Sequence, residues 1–131
     1  MIAQATMQDV KRVLVEQART DTVGLWTVVW DIEQAVPGVT PDETMRAAID
    51  VVREALEDES ILVGDVVDTD EETATFIPWR VSVELAIARI EHEWLSLGRN
   101  PDPGEVAWFV DPALLPIIVN KYPLGRNWKP A

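Results

Sequence analysis

The side chains with the most chemistry to offer in this sequence are carboxylates. Between Glu57 and Glu72 the chain places eight of them and no basic residue: Glu57, Asp58, Glu59, Asp65, Asp68, Asp70, Glu71 and Glu72. Three kinds of chemistry use such a run. A calcium loop of the EF-hand kind needs glycine at its sixth place and glutamate at its twelfth. Counting from Asp68, those places hold Thr73 and Trp79, so the motif fails. Acid–base catalysis by a carboxylate pair needs an apolar cleft, because burial is what raises a carboxyl pKa. Nothing in the spacing puts two of these acids in one. The third use is electrostatic: a dense carboxylate surface attracts a cationic partner and can stand in for the phosphates of a nucleic acid.

Other catalytic material is sparse. The single histidine, His92, lies between Glu91 and Glu93, and the chain has no cysteine. A zinc site draws on several His or Cys ligands, and no second histidine stands four residues away to form a metalloprotease pair. A solvated histidine is the expectation. The sequence has no phosphate-cradling glycine loop and no Gly-x-Ser-x-Gly elbow. The reading is therefore a non-enzyme, with no cofactor and no metal. Of the six tryptophans, Trp26, Trp30 and Trp94 sit at helical intervals with aliphatic residues and read as core. Trp79 stands beside Pro78 and Arg80 at a strand end, and Trp128 in a basic tail. Tryptophan and arginine are favoured interface anchors, which makes Trp79 and Arg80 candidates for partner contact.

The formal charge of the 131 residues is −12. Such a surface repels nucleic acid and anionic lipid and welcomes a basic protein. No run of apolar residues is long enough to span a bilayer. Nor does Met1–Thr6 read as the start of a signal peptide, so a cytoplasmic protein is expected. The apolar fraction of 47% and charged fraction of 26% are those of a globular chain. The expectation is a single domain over 1–131 with an irregular tail from about 122.

The elements that must position these groups follow from phasing and caps. Val10, Val13, Leu14 and Ala18 predict a helix over 7–19, and Leu25, Trp26, Val29 and Trp30 a second over 22–36, with Thr20–Thr22 as its cap. Thr40-Pro41-Asp42-Glu43 is a capping box with proline at the first helical place. Met45, Ala48, Ile49, Val52 and Leu56 then phase a helix over 41–57. Residues 61–67 and 74–79 read as a hairpin with an acidic tip. Ser82 and Gly98 bracket a helix over 83–97. Glu105–Val110 reads as a third strand, and Asp111-Pro112 opens either a short helix or an extended tail through Val119. The fold class is α+β: helix-rich, with a small antiparallel sheet.

Helix, helix, capped helix, hairpin is an order of elements that resembles a winged helix-turn-helix over about Asp21–Trp79. The resemblance implies that 41–57 is the recognition helix, Ile61–Trp79 the wing, and DNA the ligand. The charges point elsewhere. Arg46 and Arg53 are outnumbered on that helix by Asp42, Glu43, Asp50, Glu54 and Glu57, and the wing tip is acidic. The leading expectation is thus a protein-binding module, for instance an immunity- or antitoxin-like chain that masks a basic partner. Its contact residues would be Asp65, Asp68, Asp70, Glu71, Glu72, Trp79 and Arg80. The alternatives are a winged-helix transcription regulator acting as a homodimer and a self-assembling structural module.

Overall fold

The helices form where caps and apolar phasing agree. A computed structural model describes residues 2–68, 73–115 and, for the backbone, 118–120. Its helices are α1 (Gln4–Ala18), α2 (Leu25–Ala35), α3 (Pro41–Glu57) and α4 (Val83–Leu97). The strands are β1 (Val23–Gly24), β2 (Leu62–Asp68), β3 (Thr73–Pro78), β4 (Trp108–Val110) and β5 (Ile118–Asn120). A 3-10 turn at Pro112–Leu114 precedes β5. The fold is α+β, as expected.

The capped helix lies at the centre. Thr40 Oγ1 accepts from the Glu43 amide at 3.2 Å, and the Glu43 carboxylate accepts from the Thr40 amide at 3.2 Å. These two bonds satisfy donors that the first helical turn would otherwise leave unpaired. α3 packs against α1, α2 and α4. Ala47, Ala48 and Ala55 are buried on it, and their small size lets three helices approach one. α4 is bracketed as its sequence dictates. Ser82 Oγ accepts from the Leu85 amide at 3.2 Å. Gly98, at φ 69°, ends the helix in the left-handed conformation.

The sheet is antiparallel throughout, in the order β1-β4-β2-β3-β5. β2 and β3 form the hairpin, with Gly64 opposite Pro78 and Asp65 opposite Ile77. Alternation along the strands sends side chains to two faces. Val63 and Phe109 point to the helices and join a core with Leu14, Leu25, Ile32 and Ile90. Ala74, Phe76, Trp108 and Val110 point the other way, where Leu114 and Leu115 cover them. The hairpin needs Gly64. A Cβ there would lie 2.2 Å from the Ile77 carbonyl oxygen, well inside contact distance.

Three expectations need correction. The segment ahead of α2 is not a side-chain cap. Val23–Gly24 pairs with β4, Gly24 is the N-cap, and no side chain bonds the first turn. Secondly, Trp30 is not core, being 54% exposed, whereas Leu25, Val28, Val29 and Ile32 form the buried stripe. The stripe is centred on Leu25 and Ile32, and Trp30 falls on the opposite side of that helix. Trp26, partly buried, lies across Gly24, where an added Cβ would meet its ring at 2.6 Å. Thirdly, β4 is shorter than Glu105–Val110. Glu105 instead closes a turn, its carboxylate accepting from the Asp102 amide and from Arg99, and Val106 takes φ 72°. Beyond Asp111 the short helical turn and the extended strand both occur, in succession.

Candidate partner-binding surface

Asp65, Asp68, Trp79 and Arg80, the described residues singled out by sequence, lie on the hairpin and the segment leaving it. Asp65 and Asp68 are both on β2, but three residues apart on a strand means opposite faces. Asp65 shares a face with Val67, Thr75 and Ile77, and Asp68 shares the other with Ala74. Asp70, Glu71 and Glu72 lie outside the described residues, as does the tail bearing Trp128.

Trp79 is held by backbone and ring. Its amide donates to the Val63 carbonyl at 2.9 Å, and its side chain packs, partly buried, against the main core. Its Nε1 is buried with no acceptor among the described residues. Over the ring lies Arg89 of α4, its guanidinium carbon 3.8 Å from the ring centroid. A guanidinium over an indole face is attracted by the ring quadrupole. The same guanidinium stands 3.6 Å from the Asp65 carboxylate and 3.1 Å from that of Glu93. Asp65, Trp79, Arg89 and Glu93 thus form one network that links the hairpin to α4. Arg80 is exposed beside it.

The network changes the charge picture. Asp65 is offset by Arg89 at the base of the hairpin. Asp58, at the end of α3, is met by Lys11, which also bonds Glu54 at 2.9 Å. These hydrogen bonds, to Asp58 first and Glu54 second, raise the Lys11 pKa above that of a free lysine. The Lys11 and Gln8 hydrogen bonds lower that of Glu54. By sequence, most of the remaining carboxylates of this run cluster in Asp68-Thr69-Asp70-Glu71-Glu72.

Apolar exposure accompanies the hairpin and the segment leaving it. Val67 is 49% exposed, Ile77 48% and Val81 51%. Val67 and Ile77 stand diagonally across the two strands, on the Asp65 side. Sequence reading missed them, along with the reach of Arg89. The Val66-Val67 pair held a signal. Two adjacent apolar residues on a strand face opposite ways, so one of them needs a second cover. Val66 has it in the smaller core, and Val67 does not. For Arg89, pairing with Glu93 was legible at four residues' spacing, but its contacts with Asp65 and Trp79 depend on how α4 docks.

His92 is exposed on α4. Among the described residues no three His, Asp or Glu side chains are grouped to hold a metal ion. No helix among them is long and apolar enough to cross a membrane. No known protein family, curated protein or solved structure matches this chain.

Proposed function

We propose that this chain is a binding module for a basic protein, engaged through the hairpin. One observation carries the reading: Val67 and Ile77, about half exposed, stand next to a tip whose sequence is Asp68-Thr69-Asp70-Glu71-Glu72. An apolar contact bordered by charge is how protein interfaces are built, the apolar part supplying affinity and the charge supplying steering and partner choice. Trp79 and Arg80 lie at the hairpin's base as further contacts. An immunity- or antitoxin-like role, in which carboxylates occupy a partner's phosphate-binding groove, is the concrete instance of this reading.

The path α1-β1-α2-α3-β2-β3 is compatible with a winged-helix-like core, with β4 standing between β1 and the hairpin in the sheet. That observation favours DNA-bound regulation as the second reading. The exposed side of α3 weighs against it. It carries Asp42, Asp50 and Glu57 beside Arg46, and Arg53 stands 3.5 Å from Asp50. Few cations are left there for phosphates.

The test compares the chain with two variants, Val67→Ser/Ile77→Ser and Asp68→Asn/Asp70→Asn/Glu71→Gln/Glu72→Gln. Binding is measured to proteins captured from the source cell, and gel retardation is measured on DNA at low salt. The reading expects basic partners, lost with the first variant and bound more slowly by the second. Partners indifferent to both variants, or salt-sensitive DNA retardation abolished by Arg46→Ala/Arg53→Ala, would overturn it.

A further inference from the structure

A second surface without a partner among the described residues lies on α4, apart from the hairpin. The buried side of this helix is formed by Ala86, Ile87, Ile90 and Trp94. On the outer side run Leu85, Ala88, His92 and Leu95, all exposed, with Leu85 at 62% and Leu95 at 63%, the last three also bordering a groove with Arg53 of α3. Their spacing is i, i+3, i+7, i+10. A helix that packs by one face only has no need of apolar residues at that spacing on the other. The spacing is that of a heptad seam, with Leu85 and His92 at a, and Ala88 and Leu95 at d.

We propose that this seam pairs two copies of the chain, α4 lying parallel to α4 about a two-fold axis. The flanking charges choose both occupant and direction. Glu84 and Glu91 fall at g on one side of the seam, and Arg89 and Ser96 at e on the other. In a parallel pair, g of one helix faces e of its partner in the next heptad. Glu84 then meets the second copy's Arg89, and Glu91 its Ser96. The Arg89 side chain is 45% exposed while it packs on Trp79 and meets Asp65 and Glu93, so the second copy's Glu84 would join an existing network. In an antiparallel pair g would face g, setting glutamates against glutamates. Ala88 at d lets the backbones approach. His92 at a sets two imidazoles against each other, and a neutral imidazole carries one donor and one acceptor, so two copies are complementary. A polar residue at one a position also fixes register.

The experiment uses the full chain in sedimentation equilibrium from about 10 μM to 1 mM, the range in which weak specific pairs populate. The expected result is a reversible dimer of the 14.7 kDa chain. Leu95→Glu should weaken it by at least roughly tenfold, and His92→Leu should tighten it by a similar factor. All these side chains are exposed, and circular dichroism checks that each variant is folded. Since the chain has no cysteine, Ala88→Cys supplies a unique thiol. In the parallel pair Ala88 faces its own counterpart, so this variant should form a disulfide-linked dimer on mild oxidation. Ala35→Cys, exposed at the end of α2, should not. A monomer at every concentration, a dimer indifferent to Leu95→Glu, or a dimer that Ala88→Cys fails to cross-link would each overturn the proposal. Loss of hairpin binding in the previous test would leave these outcomes unchanged.

Discussion

Replacing Gly64 with alanine adds one methyl group at the point where the two strands of the hairpin come closest. The new Cβ would stand 2.2 Å from the Ile77 carbonyl oxygen, 2.9 Å from its carbon and 2.7 Å from Phe76 Cζ. Turning the Phe76 ring about its own axis leaves Cζ in place, and the carbonyl belongs to the ladder and cannot yield without bending β3. Overpacking of this kind costs about 1–3 kcal/mol. Glycine-to-alanine substitution also reduces the freedom of the unfolded chain, which returns about 0.4–1 kcal/mol. The net expectation is a loss of about 1–2 kcal/mol. For a chain of this size that lowers the melting midpoint by roughly 3–8 °C. Urea unfolding followed by far-ultraviolet circular dichroism measures it, with an unchanged m-value confirming that stability alone has moved. Gly98 is the matched control. Its φ is 69° and nothing lies within 4 Å of an added Cβ, so its requirement is conformational and not spatial. Asparagine, which tolerates that conformation, should be accepted at 98 and rejected at 64. Gly64→Ala at full wild-type stability, or Gly64→Asn milder than Gly98→Asn, would refute the reasoning. The displaced Ile77 and Trp79 would also weaken partner capture by the hairpin.

Two further outcomes follow from local interactions. Thr40→Ala removes the cap and one half of the reciprocal pair with Glu43. It should destabilise the chain by about 1 kcal/mol in the same urea assay, and Thr40→Ser should restore most of it. Glu105 has its pKa lowered to about 2, by the Arg99 hydrogen bond first and the Asp102 amide second. A depressed carboxyl stabilises the fold above its unfolded pKa, here 4.5, and that contribution is lost as pH falls from there toward 2. The urea midpoint of Glu105→Gln should therefore be less pH-dependent than wild type in that window and lower above it.

The parts of this fold that were legible in the sequence are those governed by neighbours a few residues apart. The α3 capping box and apolar phasing agree over one stretch, and the helix spans Pro41–Glu57 as they require. Ser82 and Gly98 likewise mark both ends of α4. Trp30 shows the limit of phasing. Tryptophan and valine share helical spacing on α2, and only the docked helix decides which stripe is buried. The insertion of β4 between β1 and β2 is set by contacts far apart in sequence, which no local pattern encodes. The same holds for the candidate surface. Trp79 and Arg80 could be chosen by residue type, but the separation of Asp65 from Asp68 needed the strand register, and the Arg89 contacts needed the position of α4.

That inserted strand has a consequence for how the protein is made. Ribosomes deliver the chain from its N-terminus, yet β4, which starts at Trp108, 85 residues after β1 starts at Val23, is what joins Val23 to Val63 through Phe109. Until Phe109 leaves the exit tunnel, its place in the core beside Val63 is unfilled and two strand edges stay open. Long-range closure of this kind slows folding and prolongs exposure. The nascent chain is thus most vulnerable to aggregation before β4 emerges, and the acidic excess of the residues ahead of it supplies the repulsion that keeps neighbouring copies apart during that interval.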